Sequence, residues 1–467
     1  MTIPEPQRAE KAIDSIQQCL THYACNLSYA DLTPEAINIA KSRVIDTLGA
    51  LMSGFFAEPC RIARNVAAQM PNPAGATIIG TRLKTTPDMA AFVNGTTARY
   101  PELTDTYHWP GSFGGHPSDV VTAVLAAAEH AQVTGRELIT GIVLAYEIFL
   151  RISDVFHNPA IDHTILGTLG TSVAAGKLLG LTPDQLAHCI SMAAVPNVVL
   201  RQARLGGSSW KAMATGQAGR SGVFAAMLAR AGMEGPHLPF EGKAGWCEHV
   251  AKERFTLDIM GGNGTPFRIL DTRIKPRSGS GGTTASMIAA EKVAPIGNIA
   301  DVTQVTIETC KWSKEGTGIS EDPWNPQCKE AADHSIPYLV AVTLMDGQVT
   351  PHSYNDAHLW NPQLRALMQK IKLVENEEFT RAYERMPQEN HTRVTVTTNS
   401  GEQYVGATGG AHGDLSAPNT NKQIDDKFRG LTEDLLGTQR VDAILTRLWH
   451  LEDLDNAATI PHHFVVC

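Results

Sequence analysis

The chain has 467 residues, of which 43% are hydrophobic and 19% are charged, and its formal net charge is −9. This length exceeds one ordinary hydrophobic core and predicts two domains, and the composition is that of a globular protein. The negative net charge excludes a global basic field for nucleic acid, so an anionic substrate would need a local cluster of Arg and Lys.

Several features predict a cytoplasmic or matrix protein without membrane association. Eight cysteines are scattered without a C-x-x-C pair, as is typical of unpaired thiols in a reducing compartment. The first fifteen residues, MTIPEPQRAEKAIDS, are polar and predict no secretory signal. The most apolar window, Ile139 to Leu150, carries Glu147 and is too short to span a bilayer.

The segment from Thr33 to about Ala231 has almost wholly helical hydrophobic spacing. Capping patterns mark three helix starts within it, at Thr33-Pro, Thr134-Gly-Arg-Glu and Thr182-Pro-Asp. The helix after Thr134 is expected to run to about Arg151. Small residues line the helical segment from Leu166 to Lys177, which predicts a central helix that its neighbours approach closely.

The sequence changes character near residue 262, where glycine-rich loops begin. Beyond them, Val302–Thr309 alternates β-branched residues and predicts a strand, and 391–405 contains an Asn-Ser-Gly turn and predicts a hairpin. Further segments are predicted to be helical, at about 333–346, 362–373 and 419–451. The result is an α+β unit of roughly 140 residues, an ordinary domain size, placed before a helical C-terminal stretch.

One loop, from Arg99 to Asp119, concentrates groups that can carry chemistry. Its sequence, RYPELTDTYHWPGSFGGHPSD, contains one Arg, three acids, two His and three Trp or Tyr rings, and it ends on a predicted helix cap at Ser118 or Asp119. Loops held by a rigid scaffold often position catalytic groups. The alternative is a polar surface loop without a chemical role.

Three other segments supply candidate groups: Asp162-His-Thr164, Gly206-Gly-Ser-Ser-Trp-Lys211 and Thr272-Arg-Ile-Lys-Pro-Arg277. The sequence contains no metal-ligand pattern, phosphate-binding loop, nucleophile elbow or dinucleotide fingerprint. The remaining His, carboxylate, Lys and Arg side chains suit proton abstraction next to a carboxylate, followed by elimination. Taken singly, a His or Lys is more often structural, so the prediction depends on the segments converging.

At these residues the chain resembles the MmgE/PrpD family over nearly its whole length. The 2-methylcitrate dehydratases of that family carry an Arg, an acid, Asp-Thr and Gly-His-Pro-Ser-Asp, which correspond here to Arg99, Glu102, Asp105-Thr106 and Gly115-His-Pro-Ser-Asp119. Similar segments follow at Asp162-His-Thr164, Ser209-Trp-Lys211 and Ala332-Asp-His-Ser-Ile-Pro-Tyr338.

The resemblance implies a mostly α fold with a smaller α+β domain. Residues 1–268 and 410–467 would form a large all-helical domain from both chain ends, and residues 269–409 an inserted α+β lid, with the site between them. It also implies a homodimer that needs no metal or organic cofactor, with a small polycarboxylate as substrate. The charge and the short apolar windows predict no nucleic-acid or membrane partner.

The expected function is a cofactor-independent lyase, with 2-methylcitrate dehydratase-like loss of water. The expected catalytic residues are His116, His163, Lys211, Glu102 and Asp105. The expected substrate-binding residues are Arg99, Thr106, Lys275 and Arg273. Within these sets, the two imidazoles would be the acid/base pair, the carboxylates would orient them, and the Arg and Lys side chains would bind substrate carboxylates.

The chain departs from the family pattern in three places. Glu102 stands where members usually have the shorter Asp, and Ser278–Thr284 lacks a His that many members have after the residue corresponding to Lys275. The loop also has extra length at Trp109–Gly114. Three alternatives therefore stay open: an epimerase or isomerase of a substituted succinate such as iminodisuccinate, a cis-aconitate-type decarboxylase, and an inactive relative that binds a metabolite.

Overall fold

The computed structural model describes residues 13–205, 207–315, 322–386, 388–409 and 419–466. Three features considered above lie wholly or mainly outside these ranges: the polar N-terminal segment, Gly206 and Cys467. The seven described cysteines are all free thiols. In this part of the chain, no helix is both long and apolar enough to cross a membrane.

The described residues are mostly helical. The first nine helices are α1 (Ser15–Asn26), α2 (Pro34–Gly54), α3 (Glu58–Ala67), α4 (Pro87–Arg99), α5 (Val121–Ala131), α6 (Gly135–Ser153), α7 (Thr164–Leu178), α8 (Pro183–Ala194) and α9 (Trp210–Arg230). The next nine are α10 (Thr284–Glu291), α11 (Lys311–Glu315), α12 (Lys329–Ala332), α13 (Ile336–Asp346), α14 (Asp356–Leu359), α15 (Pro362–Met368), α16 (Glu377–Glu384), α17 (Asn421–Leu436) and α18 (Thr438–Trp449).

Eight strands in the described ranges form three small sheets. They are β1 (Pro71–Thr77), β2 (Lys84–Thr85), β3 (Asp105–Thr106), β4 (Arg273–Ile274), β5 (Val302–Thr309), β6 (Ile371–Glu375), β7 (Thr392–Thr398) and β8 (Gln403–Thr408). The largest sheet has the order β6-β5-β7-β8, with β5 parallel to β6 and the other pairs antiparallel. Strand β3 pairs with β4, so the loop after α4 is hydrogen-bonded to residues 273–274.

The three predicted helix starts are confirmed, and local hydrogen bonds account for them. The Thr33 hydroxyl accepts a hydrogen bond from the N–H of Ala36 at the start of α2. Both α6 and α8 begin with a capping box, in which a Thr hydroxyl and an acid or amide side chain satisfy each other's free backbone N–H groups. The glycine-rich segment is indeed helical, as α7, and nearly all of its residues are buried.

Glycines allow α4 and α9 to approach each other closely. A Cβ atom built on Gly216 of α9 would lie 2.3 Å from the carbonyl oxygen of Phe92 on α4, and one built on Gly95 would lie 3.0 Å from the Cα atom of Gly216. Only glycine fits such a contact. This contact fixes the position of α9, whose second residue is Lys211.

Two predicted elements of the second half need correction. The helix expected over 362–373 ends at Met368, and Ile371–Glu375 instead forms strand β6 beside β5. The helix expected from 333 begins at Ile336, because the Ser335 hydroxyl caps it by accepting from the N–H of Tyr338. The strand β5 and the hairpin β7–β8 are confirmed.

Two hydrophobic clusters make up most of the described core. The larger combines residues between Ile16 and Ile274 with residues between Ile424 and Phe464, so helices from both chain ends share it. The smaller lies between Met287 and Val396 and packs helices against the four-stranded sheet. The domain boundaries at 268/269 and 409/410 stay a prediction. The expectation that the first domain is all-helical needs correction, because β1 and β2 pair within it.

Candidate active site

A cavity of about 540 Å³ lies where the loop after α4 meets the start of α7, the turn before α9 and residues 280–282. Its wall is rich in titratable side chains, namely His108, His116, Asp162, His163, Arg201, Arg204, His334 and Glu384. Two of the four candidate segments, the loop after Arg99 and Asp162-His-Thr164, therefore share one space that is large enough for a small organic acid. Lys211 and Lys275 are not part of its wall.

Glu102 is the centre of a buried charge cluster behind this cavity. Its side chain is 1% exposed, and its carboxylate lies 2.6 Å from Nη1 of Arg99, 2.9 Å from Nζ of Lys211 and 2.6 Å from Nζ of Lys275. Burial by itself would raise the pKa of Glu102, but the three cations together lower that pKa well below its usual value. The carboxyl group is therefore ionised, and Glu102 has a backbone φ of 54°, in the left-handed region.

A second buried carboxylate, Asp333, extends the cluster. Its oxygens lie 3.1 Å from Nζ of Lys211 and 2.7 Å from Nζ of Lys329, and the Asp333 carboxylate also contacts Nδ1 of His334. Burial would raise the pKa of Asp333, and the charges of the two lysines more than reverse this, so its pKa is lowered.

The cluster brings four buried cations together. They are Arg99, Lys211, Lys275 and Lys329, and the carboxylates in contact with them are Glu102, Asp119 and Asp333. Glu330 adds a further negative charge near Lys329, so the cluster is close to balanced. Because these side chains are buried and poorly screened by water, a change in the charge of any one of them strongly affects its neighbours.

His116 presents an unprotonated ring nitrogen near the cavity. Its Nδ1 lies 2.8 Å from the carbonyl oxygen of Asp105, which can only accept, so Nδ1 carries the proton and Nε2 carries a free lone pair. Nε2 lies 3.6 Å from the carboxylate of Glu102. Burial, and then the nearby charges of Arg99 and Lys275, lower the pKa of His116 well below its usual value, so the ring is neutral.

His163 lies beside His116, with their ring centroids 5.1 Å apart. Its Nδ1 is 2.7 Å from Nη2 of Arg204, which can only donate, and its Nε2 is 3.3 Å from the carboxylate of Asp119. The proton of this imidazole is therefore on Nε2 and faces Asp119. The same Asp119 carboxylate accepts from the hydroxyl of Thr215 on α9.

Asp105 does not line the cavity, although it holds His116 in place. Its carboxylate accepts from the N–H of Ser118 at 2.9 Å and from the hydroxyl of Tyr146 at 2.9 Å, and it pairs with Arg43 at 3.4 Å. Burial raises the pKa of Asp105. Its carbonyl oxygen accepts the hydrogen bond from Nδ1 of His116.

The predicted substrate-binding residues occupy different places. Thr106 lines this cavity and also a neighbouring cavity of about 1000 Å³, whereas Arg273 lines only the neighbouring one. The ammonium group of Lys275 is surrounded by three acceptors, the Glu102 carboxylate and the carbonyl oxygens of Glu102 and Gly279. Arg99 lies in the buried cluster and contacts Glu102 and Asp119.

Several residues of this arrangement belong to none of the candidate segments. Arg201, Arg204 and Glu384 carried no recognisable signal. Lys329 could have been found, because it lies four residues before Asp333 and this spacing pairs opposite charges on one helical turn. Among the described residues, no group of three or more His, Cys, Asp or Glu side chains is placed to hold a metal ion.

Comparison with known proteins gives a consistent result. Residues 18–257 match the model of the MmgE/PrpD N-terminal domain, and residues 283–451 match that of the MmgE/PrpD C-terminal domain. Human cis-aconitate decarboxylase is 24% identical over 96% of this chain and 94% of its own length. The 2-methylcitrate dehydratase of Salmonella typhimurium is 27% identical over 76% of this chain and 77% of its own length. That of Cupriavidus necator is 28% identical over 74% of this chain and 75% of its own length.

Proposed function

Because the chain belongs to the MmgE/PrpD family, we propose that it is a lyase that removes a proton next to a carboxylate of a small di- or tricarboxylate. The leading substrate is 2-methylcitrate, which would lose water to give 2-methylaconitate without a cofactor. The observation that carries this proposal is the neutral imidazole of His116, with a free lone pair on Nε2, beside a buried cluster of four cations.

In the proposed elimination, Nε2 of His116 takes the proton from the carbon next to a substrate carboxylate. The electron pair left on that carbon forms the new C=C bond as the hydroxyl group departs. For this step Nδ1 of His163, which accepts from Arg204 in the structure, must first be released and take up a proton. The charged ring then supplies the proton that turns the departing hydroxyl into water, and Asp119 balances its charge until that transfer. A proton that returns from His116 to His163 restores both residues, so the net change is the loss of one water molecule.

The cations have two proposed tasks. Lys211, buried between Glu102 and Asp333, would stabilise the negative charge that develops on the substrate carboxylate as its neighbouring proton leaves. Arg99 and Lys275 contact Glu102 directly, which supports a role in holding that carboxylate ionised and in place. Their predicted binding of substrate carboxylates, and that of Thr106 and Arg273, stay predictions.

The domain arrangement is also part of the proposal. Residues 1–268 and 410–467 would form a mainly helical domain, which also contains the β1–β2 pair, and residues 269–409 the lid. The two hydrophobic clusters support this division, and residues from both sides of position 269 line the cavity. The family resemblance supports a homodimer, which sedimentation of the purified chain would test.

Decarboxylation of cis-aconitate is the second candidate. The similarity to human cis-aconitate decarboxylase extends over 96% of the chain, against 76% for the dehydratase of Salmonella typhimurium. Loss of CO2 leaves an electron pair on carbon, which the same cations would stabilise and an imidazole would protonate. The same side chains therefore suit both reactions.

The experiment is to incubate the purified chain with 2-methylcitrate, citrate and cis-aconitate, and to follow both the absorbance of a conjugated acid and the release of CO2. A rise in absorbance from 2-methylcitrate without CO2 supports the dehydratase, and CO2 from cis-aconitate supports the decarboxylase. If none of the three acids reacts at high enzyme concentration, both are refuted. Exchange of a substrate C–H for deuterium without net loss of water or CO2 would favour an isomerase instead.

A further inference from the structure

Arg204 lies in the cavity wall and contacts Asp162 and His163, the two residues immediately before α7. Its Nη2 is 2.7 Å from Nδ1 of His163 and 3.2 Å from the carboxylate of Asp162, and its Nε also pairs with that carboxylate. Asp162 is 3% exposed, whereas one fifth of the Arg204 side chain is exposed. The guanidinium group therefore connects a buried acid to the open space of the cavity.

This contact occupies the second nitrogen of His163. The guanidinium group can only donate, so it takes up the lone pair of Nδ1, while the proton on Nε2 faces Asp119. While both contacts last, His163 can exchange no proton with a molecule in the cavity. A role for His163 in acid/base chemistry therefore requires Arg204 to move away from Nδ1.

The charges around Arg204 indicate what would move it. Arg201 also lines the cavity, is exposed, and forms no ion pair with any residue that the structure describes. Two guanidinium groups thus face this end of the cavity, opposed by the carboxylates of Asp162 and Glu384. A carboxylate accepts two parallel hydrogen bonds from one guanidinium, which a neutral imidazole nitrogen cannot do.

We propose that Arg204 binds one carboxylate of the substrate and, by turning toward it, releases Nδ1 of His163. Arg204 is then a specificity-determining residue, because only an acid with a carboxylate at this end of the cavity frees the imidazole. This inference rests on the proposed function, since it requires a polycarboxylate to occupy the cavity.

The test measures ligand selectivity by titration calorimetry with two unreactive acids, tricarballylate (propane-1,2,3-tricarboxylate) and glutarate, its analogue without the central carboxylate. The intact chain is expected to prefer tricarballylate by about tenfold or more, the contribution of one charge-assisted pair. Arg204→Gln is expected to lose most of that preference. General damage to the site would weaken both acids alike, so the ratio of the two dissociation constants reports on the Arg204 contact itself.

Arg220→Gln is the matched control. Arg220 also pairs with an Asp, at 3.3 Å, but it lies on the surface of α9 away from this cavity. Its loss should leave the selectivity unchanged. If Arg204→Gln does not fold, Arg204→Lys replaces it and should show the same loss, because an ammonium group cannot form the two parallel bonds.

The two dissociation constants distinguish the proposed polycarboxylate site from the proposed role of Arg204. If the intact chain binds neither acid, the proposed polycarboxylate site fails, and this inference fails with it. If the intact chain prefers tricarballylate and the Arg204 variant keeps that preference, the proposed function survives and the role of Arg204 is refuted.

Discussion

The carboxylate of Glu102 lies 2.6 Å from the ammonium group of Lys275, and both side chains are 1% exposed. The same carboxylate also faces Arg99 and Lys211, so one negative charge offsets three positive ones. Removing one member of a buried charge pair is costly, because its partners stay buried without compensation. The stability of the chain should therefore depend strongly on Glu102.

We expect Glu102→Gln to lower the free energy of unfolding by about 3 to 5 kcal/mol, because the neutral amide leaves the cations unbalanced. Urea denaturation followed by circular dichroism measures this loss. Glu452→Gln is the control, since Glu452 pairs with Lys41 at 2.8 Å but is one quarter exposed, and it should cost less than about 1 kcal/mol. Equal losses in the two variants would contradict this interpretation of the Glu102 cluster.

The second prediction concerns the proposed base. In His116→Asn, the side-chain amide can still donate to the carbonyl oxygen of Asp105, but it offers no basic nitrogen. We expect kcat to fall by about 10² to 10⁴, the usual contribution of a positioned base, while the binding of tricarballylate changes little. His450→Asn, at an exposed position, serves as the control. A variant at His116 that retains most of its kcat would show that another group removes the proton.

Local sequence patterns predicted the elements that local hydrogen bonds define. The helices α2, α6 and α8 begin where a Thr caps free N–H groups within three residues of itself, and such contacts are visible in the sequence. Strand β6 was missed because its partner β5 lies more than sixty residues earlier. A short apolar segment of this kind is ambiguous between helix and strand until its partner is known.

In the candidate site, too, residues adjacent in the sequence were predictable and contacts between distant residues were not. The loop motif and the Asp162-His163 pair were visible because their residues are adjacent in the chain. The contact between His163 and Arg204 joins residues 41 positions apart, and Arg204 stands in no motif. Spacing could indicate candidate residues, but it could not show that Arg204 occupies Nδ1 of His163 or that Lys275 faces Glu102.

The third prediction is a pH dependence. The proposed base, His116, must be neutral, and because its pKa lies well below the usual value, it stays neutral throughout the neutral range. Lys275 must be charged to balance Glu102. Burial lowers the pKa of Lys275 to about 8, so its charge is lost as the pH rises through that value. We therefore expect kcat/KM to be steady between pH 6.5 and 7.5, and to fall above about pH 8.

The variant Lys275→Arg tests the assignment of that fall. A guanidinium group keeps its charge to above about pH 12, so the decline near pH 8 should disappear even if the maximal rate is lower. The measurement is kcat/KM from pH 5 to 10 for both proteins. A decline at the same pH in the Arg variant would assign it to another group.

The last prediction concerns the glycine contact that places α9, and with it Lys211. In Gly216→Ala the new methyl group would lie 2.3 Å from the carbonyl oxygen of Phe92, so α4 and α9 must move apart. We expect a loss of about 1 to 3 kcal/mol in the free energy of unfolding, as is typical of an overpacked core, together with lower activity.

Gly430→Ala on α17 is the control, because nothing lies within 4 Å of the position of its new methyl group. It should gain about 0.5 to 1 kcal/mol from the better helix propensity of Ala. If the free energy of unfolding falls in Gly216→Ala and rises in Gly430→Ala, the difference comes from the close approach of the two backbones and not from helix propensity. A rise in Gly216→Ala would refute the claim that this contact positions α9.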